Sequence, residues 1–350
     1  MNVAFTYNVK HKKASLDLSK QDDMEFDSPD VIEAIVKSLE SLGHKVFKVE
    51  ADEMAFSKLA SLKDKIDIVF NIAEGLGGDA RESQIPMICE ILKIPYTHSS
   101  PSTHAITLDK QFTKWILQGA GVARVPQSQV ISNKQSLASN AGKNYKIDTS
   151  LKFPLIVKPN KEGSSKGIMD ANVVRNLIDL EKQIEKISEN FTKEIIVEQY
   201  IDGREFTVSV LGNNGNARVL PIIEQTFDFL PKGMNHIASL ELKYLYDWDK
   251  NKIKEICVCP AKINKELEDE IAETSKAICK VLDVRDASRI DYRLDEAGDL
   301  YFLEINTLPG LNPDPDAPSY YVISALSGGL SFTEMIGEIL RLACERYRLY

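Results

Sequence analysis

The sequence has no apolar run near the roughly 18–20 residues that a membrane-spanning helix requires. Its first residues, Met1 to Asn8, lack the charged and then apolar segments of a signal peptide. Cysteine is scarce: Cys89, Cys257, Cys259, Cys279 and Cys344 make an odd count of 5, with no CxxC pair. A secreted disulfide scaffold is thereby excluded, and reduced thiols in a cytoplasmic setting are expected. Basic residues are also short, 43 Lys and Arg against 52 Asp and Glu, for a net charge of −9 and a pI near 5.3. That sign argues against a nucleic-acid-binding surface over most of the chain. The histidines (His11, His44, His98, His104, His236) show no metal-ligand spacing, and there is no nucleophile elbow. A GxxxxGKS/T loop is absent too, which excludes a P-loop NTPase. Internal repeats and low-complexity tracts are missing.

What is present is the balance of a globular chain: 350 residues, 43% hydrophobic and 27% charged, enough for two to three domains. The first hundred residues alternate strands and helices. Val3 to Tyr7, Lys45 to Val49 and Ile66 to Ile72 read as strands, with a short further strand at Pro95 to Thr97. Asp27-Ser28-Pro29 starts a helix that Gly43 stops, and Glu82 to Leu92 is a second helix. This order predicts a parallel sheet covered by helices. Ser100 to Thr103 is a turn-rich joint, followed by one helix from about His104 to Gly119. Further on come a strand at Phe153 to Lys158, a helix near Leu177 to Ile187, and strands at Ile195 to Ile201 and Phe206 to Leu211. The last pairs with Ala217 to Ile223 across Gly212 to Asn216. Asp228 to Ser239 has little periodicity and reads as a mobile loop. A long amphipathic helix over Leu267 to Val281, a hairpin of Arg289 to Leu294 with Leu300 to Ile305, and a helix near Phe332 to Arg346 complete the chain.

Three constellations carry chemistry. In the C-terminal hairpin, Glu304 and Asn306 project to one side, because strand side chains alternate. An even-numbered connecting loop puts Asp291 on that face, diagonal to Glu304, with Arg289 nearly across from Glu304. Two carboxylates and an amide oxygen then make a hard-cation site; an odd register leaves only a surface salt-bridge cluster. Second, Lys158 ends an apolar strand, where burial is costly unless it faces an anion, and Glu162-Gly-Ser-Ser165 offers backbone N–H groups and hydroxyls to phosphate. Third, Glu198 and Glu205 flank a strand that stops and resumes at Gly203, suited to a purine amine and a ribose. Lys110 and Lys114 stand at i and i+4 on the helix after the joint. A rival pattern, Gly75-Leu-Gly77-Gly-Asp-Ala80, matches GxGxxA and raises a dinucleotide-dependent oxidoreductase. Against it, Pro86 breaks the helix pattern and the next strand carries no acid for a ribose.

In combination these segments resemble the ATP-grasp superfamily and, within it, the D-alanine–D-alanine ligase family, over most of the chain. The residues carrying the resemblance are Gly77-Gly78, Ile94-Pro-Tyr-Thr97, Leu108-Asp-Lys110 with Lys114, and Ile156-Val-Lys158-Pro with Glu162-Gly-Ser-Ser165. Glu198, Glu205-Phe-Thr-Val208, Lys243-Tyr244, Arg289-Ile-Asp291 and Leu303-Glu304-Ile-Asn306-Thr-Leu-Pro-Gly310 continue it. The resemblance implies α/β and α+β architecture: an N-terminal parallel-sheet (pre-ATP-grasp) domain over 1–102, a central ATP-grasp subdomain with the phosphate loop over 103–194, and a C-terminal ATP-grasp subdomain with the metal site over 195–350. It implies a ligase that phosphorylates a carboxylate with ATP and lets an amine attack the acyl phosphate, in a cytoplasmic homodimer serving peptidoglycan synthesis. Lys110 and Lys158 would hold phosphates under Ser164 and Ser165. Glu198 and Ile201 would meet adenine over Leu303, and Glu205 would bind ribose. Lys243, beyond the mobile loop that would act as a lid, would reach the γ-phosphate. Asp291, Glu304 and Asn306 would carry two Mg²⁺ ions, or Mn²⁺ in their place, and Arg289 would face the oxyanion.

Departures gather at the amino-acid subsites. Glu74-Gly75 stands where the family has His-Gly, and Gln199 replaces a Lys beside the adenine-binding Glu. Lys10 to Glu25 replaces the Gly-rich segment with its amine-binding Glu, leaving Glu25 or Asp27 as stand-ins. Leu311-Asn-Pro-Asp-Pro315 replaces the hydroxyl that receives the second carboxylate. Three rivals to this peptidoglycan ligase remain: a ligase of other amino acids outside peptidoglycan synthesis, the oxidoreductase, and a silent nucleotide-binding scaffold.

Overall fold

A computed structural model describes residues 1–11, 23–132, 146–191, 194–240 and 256–349. Near the N-terminus, β1 (Asn2–Tyr7), β2 (Lys45–Glu50) and β3 (Ile68–Asn71) pair in parallel in the order β2-β1-β3. Helix α1 (Pro29–Ser41) begins as its sequence demands: Ser28 accepts from the Val31 N–H, Pro29 fills the first turn, and Gly43 follows at φ +85°. Both faces of the sheet are covered. Val3, Phe5 and Phe70 pack with α1 and with the C-terminal helices Tyr320–Ser327 and Phe332–Tyr347. Ala4, Val49 and Val69 pack with α2 (Ala55–Leu62) and α3 (Gln84–Leu92). Neither α2 nor Tyr320–Ser327 was foreseen. The expected strand at Pro95 to Thr97 reduces to a single bridge from Tyr96 to Val69.

The helix expected from His104 to Gly119 is two helices, α4 (Pro101–Leu108) and α5 (Lys110–Ala120). The break is at Asp109, whose extended backbone and side chain cap the second helix by accepting from Gln111 and Phe112 N–H groups at 3.1 and 3.0 Å.

A second sheet is antiparallel, ordered β4-β7-β5-β6 from Ser128–Ile131, Ile195–Gln199, Leu155–Pro159 and Val173–Val174. Because β7 lies between β4 and β5, the boundary expected at 194/195 cuts this sheet. From β7 the chain passes through Gly203, at φ +142°, into Arg204–Leu211. Leu155, Val157, Ile195 and Val197 pack on helix Leu177–Asn190, leaving Ile156, Lys158, Ile196 and Glu198 on the opposite face.

The third sheet runs β11-β10-β8-β12-β13, from Cys257–Val258, Ile223–Gln225, Arg204–Leu211, Ala287–Leu294 and Leu300–Asn306, with β9 (Arg218–Val219) also on β8. Phe206, Val208, Ile290, Tyr292, Phe302 and Ile305 pack towards helix Lys265–Val281. The alternate positions, from Glu205 and Thr207 to Arg289, Asp291 and Arg293, are polar and face the second sheet. Two sheets thus turn their polar faces towards one cleft.

Candidate active site

The hairpin register fixes the cleft floor. Asp291 stands directly opposite Glu304, and Arg289 opposite Asn306, so all four share one face. This corrects the diagonal arrangement expected for Asp291 and the expected Arg289–Glu304 pairing. The reason is a bulge between Asp291 and Tyr292, where Tyr292 pairs with Phe302 and Leu303 has no partner of its own. Strict alternation would send Leu303 away from Glu304; the bulge lets both line the same cleft, between core-facing Phe302 and Ile305.

Cations of the chain meet each carboxylate. Arg289 lies 2.9 Å from Asp291, whose other oxygen accepts from the Thr207 hydroxyl at 2.8 Å. Lys110 lies 3.4 Å from Glu304. Burial pushes Glu304 up, but Lys110, Lys158 and Arg289 outweigh it and bring its carboxyl down to about 2. Among the described residues no three His, Cys, Asp or Glu side chains converge as a metal cluster. The donor set is two carboxylates and an amide oxygen, which suits a hard cation that completes its shell with water and phosphate oxygens.

On the opposite wall Glu198 is buried between Lys158, at 2.5 Å, and Lys114, each on a different carboxylate oxygen. Burial pushes Glu198 up, yet the two ammonium groups hold it below the usual range. Glu198 is thus a counter-ion that fixes two lysines. Full burial draws Lys114 down to about 8, against the pull of Glu198. Glu205, expected at a ribose, lines the cleft with Arg293 at 2.6 Å.

The roof is the loop after β5. Ser164 and Ser165 both hold left-handed backbone, at φ 50° and 60°, an uncommon pair outside functional loops. The Ser165 hydroxyl donates to Ala238 O at 2.6 Å, and Leu240 N–H donates to Ile168 O. Asn235 is tied to Asp170 and Arg175. The segment Asp228 to Ser239, expected to be mobile, is therefore docked across the cleft by its own hydrogen bonds and those of Leu240. Under it, Lys158, Ser164, Ser165, Glu205, Asp291, Leu303 and Glu304 line a space of about 160 Å³. Ile201 is buried but does not line it, and Lys243 lies outside the described residues.

A second cavity, about 370 Å³, adjoins the first and shares Ser164, Arg289 and Tyr320 with it. Its N-terminal wall carries Glu25, Glu74 and Glu82. Glu25 makes two hydrogen bonds with buried Arg81, at 3.0 and 2.8 Å, so its carboxylate is already paired. Asp27 is pushed up to about 7 by burial, partly offset by Lys10, and does not line the cavity. The far wall holds a hydroxyl that sequence reading missed. The segment Leu311 to Pro318 folds back so that Ser319 Oγ accepts from Asn312 N–H at 3.0 Å and stands beside Gly310. A hydroxyl is thus present next to Pro309-Gly310, supplied from nine residues later, which no local motif reveals.

The family model for the C-terminal part of D-Ala–D-Ala ligases matches residues 116–341. A D-alanine–D-alanine ligase of Fervidobacterium nodosum is 33% identical over 321 residues, covering 89% of this chain and 92% of that one. The chain belongs to the D-alanine–D-alanine ligase family. It is an ATP-grasp ligase. Another relative, an uncharacterized protein y4sG of Sinorhizobium fredii, is 32% identical over 323 residues, covering 91% of this chain and 88% of its own. The fold of this family is also that of a D-alanine–D-alanine ligase from Bacillus anthracis solved with ATP, at a TM-score of 0.71 and 20% identity, covering 100% of this chain and 99% of that one. In this ligase Gly75-Leu-Gly77-Gly-Asp-Ala80 is not a dinucleotide fingerprint. Gly75, at φ +83°, brings its Cα against the Arg81 carbonyl, and the segment leads into a 3₁₀ turn over Arg81–Ser83. Among the described residues no helix is long and apolar enough to cross a membrane.

Proposed function

We propose that the chain joins the carboxyl group of one small amino acid to the amine of another at the cost of ATP, through an acyl phosphate, in the manner of D-alanine–D-alanine ligases. The observation that carries this is the shared polar floor of Arg289, Asp291, Glu304 and Asn306 lying between the Lys158 cleft and the larger cavity. A nucleotide tail in the smaller space then meets an amino acid in the larger one across Arg289. Lys110 and Lys158, held by Glu304 and Glu198, neutralise phosphate charge; Arg289 faces the carboxyl oxygens; Ser164, Ser165 and the docked 228–240 segment exclude water. Leu303 supports the base, Glu205 with Arg293 borders the ribose, and Ser319 receives a carboxylate. Asp291, Glu304 and Asn306 fit Mg²⁺, which when bound would screen the phosphate oxygens against Glu304 and Asp291. No protein nucleophile is needed. We take a homodimer in the cytoplasm as the working form.

The test is phosphate release from Mg-ATP across D- and L-amino acids, singly and in pairs. Release dependent on an added amino acid is expected. Silence with every amino acid and pair would leave a nucleotide-binding scaffold instead.

A further inference from the structure

The larger cavity presents more carboxyl groups than its own cations pair. Arg81 is engaged twice by Glu25 and also lies 3.6 Å from Glu162, which Lys166 meets at 3.2 Å. Those two cations therefore answer Glu25 and Glu162. Glu82 and Glu74 remain. The neighbour of Glu82 is buried His104, 3.6 Å away, whose Nδ1 shares a hydrogen bond with the Thr307 hydroxyl at 2.9 Å. Among the described residues Glu74 makes no ion pair and no side-chain hydrogen bond, although it lines the cavity. Burial and the nearby Glu82 and Glu25 push the Glu74 carboxyl well up, only partly offset by Arg81. So placed, the Glu74 carboxyl stays protonated until a cation comes to it, and an arriving ammonium favours its ionised form.

We infer that this cavity takes an amino acid with a second ammonium group on its side chain, received by Glu74 and Glu82, while its carboxylate turns to Arg289. The inference deepens the ligase reading above and rests on it for the orientation of the carboxylate. A metal ion is a poorer occupant: the three acids do not converge as a metal cluster, and an ammonium, with three donors of its own, can serve carboxylates that stand apart. An alanine-like substrate has no side-chain ammonium to pair with Glu82 and ionise Glu74; a diamino acid does. A volume of about 370 Å³ falls in the range of small-molecule sites and leaves room for a longer side chain.

The experiment is calorimetric titration of the full chain with lysine, ornithine and 2,3-diaminopropionate, in D and L forms, against alanine and norleucine. At least one diamino acid is expected to bind ten or more times tighter than norleucine. Glu74→Gln and Glu82→Gln, checked for folding by thermal unfolding, should each shrink that preference to under threefold. Norleucine or alanine binding as well as every diamino acid, or no diamino acid binding at all, overturns the inference without recourse to a variant. The same proteins are then assayed for phosphate release. Selective diamino binding without release under Mg-ATP sinks the ligase reading and leaves the pocket assignment. Release with neutral amino acids at equal or lower KM sinks the pocket assignment and leaves the ligase.

Discussion

Asp291 and Glu304 face each other across the β12–β13 ribbon, yet neither is free: Arg289 holds one at 2.9 Å and Lys110 the other at 3.4 Å. The cleft therefore keeps its cations in place before any nucleotide arrives. Glu304→Gln removes a proposed metal-binding oxygen and the anchor of Lys110 together. Turnover with Mg-ATP should fall by about 10²–10³-fold, as when a preorganised transition-state contact is lost, while circular dichroism shows the fold retained. A variant that stays active with normal Mg²⁺ dependence would remove Glu304 from the metal site.

The same residue sets a pH dependence of stability. Burial raises the Glu304 carboxyl but Lys110, Lys158 and Arg289 lower it further, from an ordinary 4.5 to about 2. A depressed carboxyl contributes stability that is fully present above pH 4.5 and is lost as pH falls through 2. The increment is of order 3 kcal/mol. Urea unfolding measured between pH 5 and 2 should show a steeper loss in the wild type than in Glu304→Gln. Parallel curves would mean that the three cations do not act on this group.

Glu198 offers a sharper stability test, because it compensates two buried ammonium groups at once. Glu198→Gln leaves Lys114 buried and unpaired, a change expected to cost about 3–5 kcal/mol. Adding Lys114→Met to Glu198→Gln should restore part of the loss, since the uncompensated charge is then gone. If the double variant is no more stable than the single one, the pair is not the source of the effect.

How far these features can be read from sequence depends on whether they are periodic. The alternation along β8, β12 and β13 exposes which residues share a polar face, and apolar runs mark the strands of both antiparallel sheets. The bulge at Leu303 is invisible to that pattern, because the sequence around it keeps its hydrophobic character while the pairing slips by one residue. Ion pairing is equally hidden: nothing near Glu198 announces Lys114, 84 residues away, and nothing near Glu25 announces Arg81, 56 residues on. These long-range pairs decide which acids are satisfied and which await a ligand. For the same reason Ser319 escapes notice, since only the folding back of Leu311 to Pro318 brings it beside Gly310.

Asp109 shows how one capping side chain can position a catalytic region. It ends α4, caps α5, and its same carboxylate oxygen accepts from the Asn160 amide at 2.9 Å, tying the helix start to the loop after β5. Lys110 is the first residue of α5, so its reach to Glu304 depends on that cap. Asp109→Ala should cost about 1–2 kcal/mol of stability and raise the KM for ATP several-fold with a smaller change in kcat. Asp109→Asn keeps an acceptor for the helix and for Asn160, and should recover most of both. A merely structural cap predicts that stability alone responds. If KM for ATP follows stability neither down in the Ala variant nor back in the Asn variant, Lys110 is placed by something other than this turn.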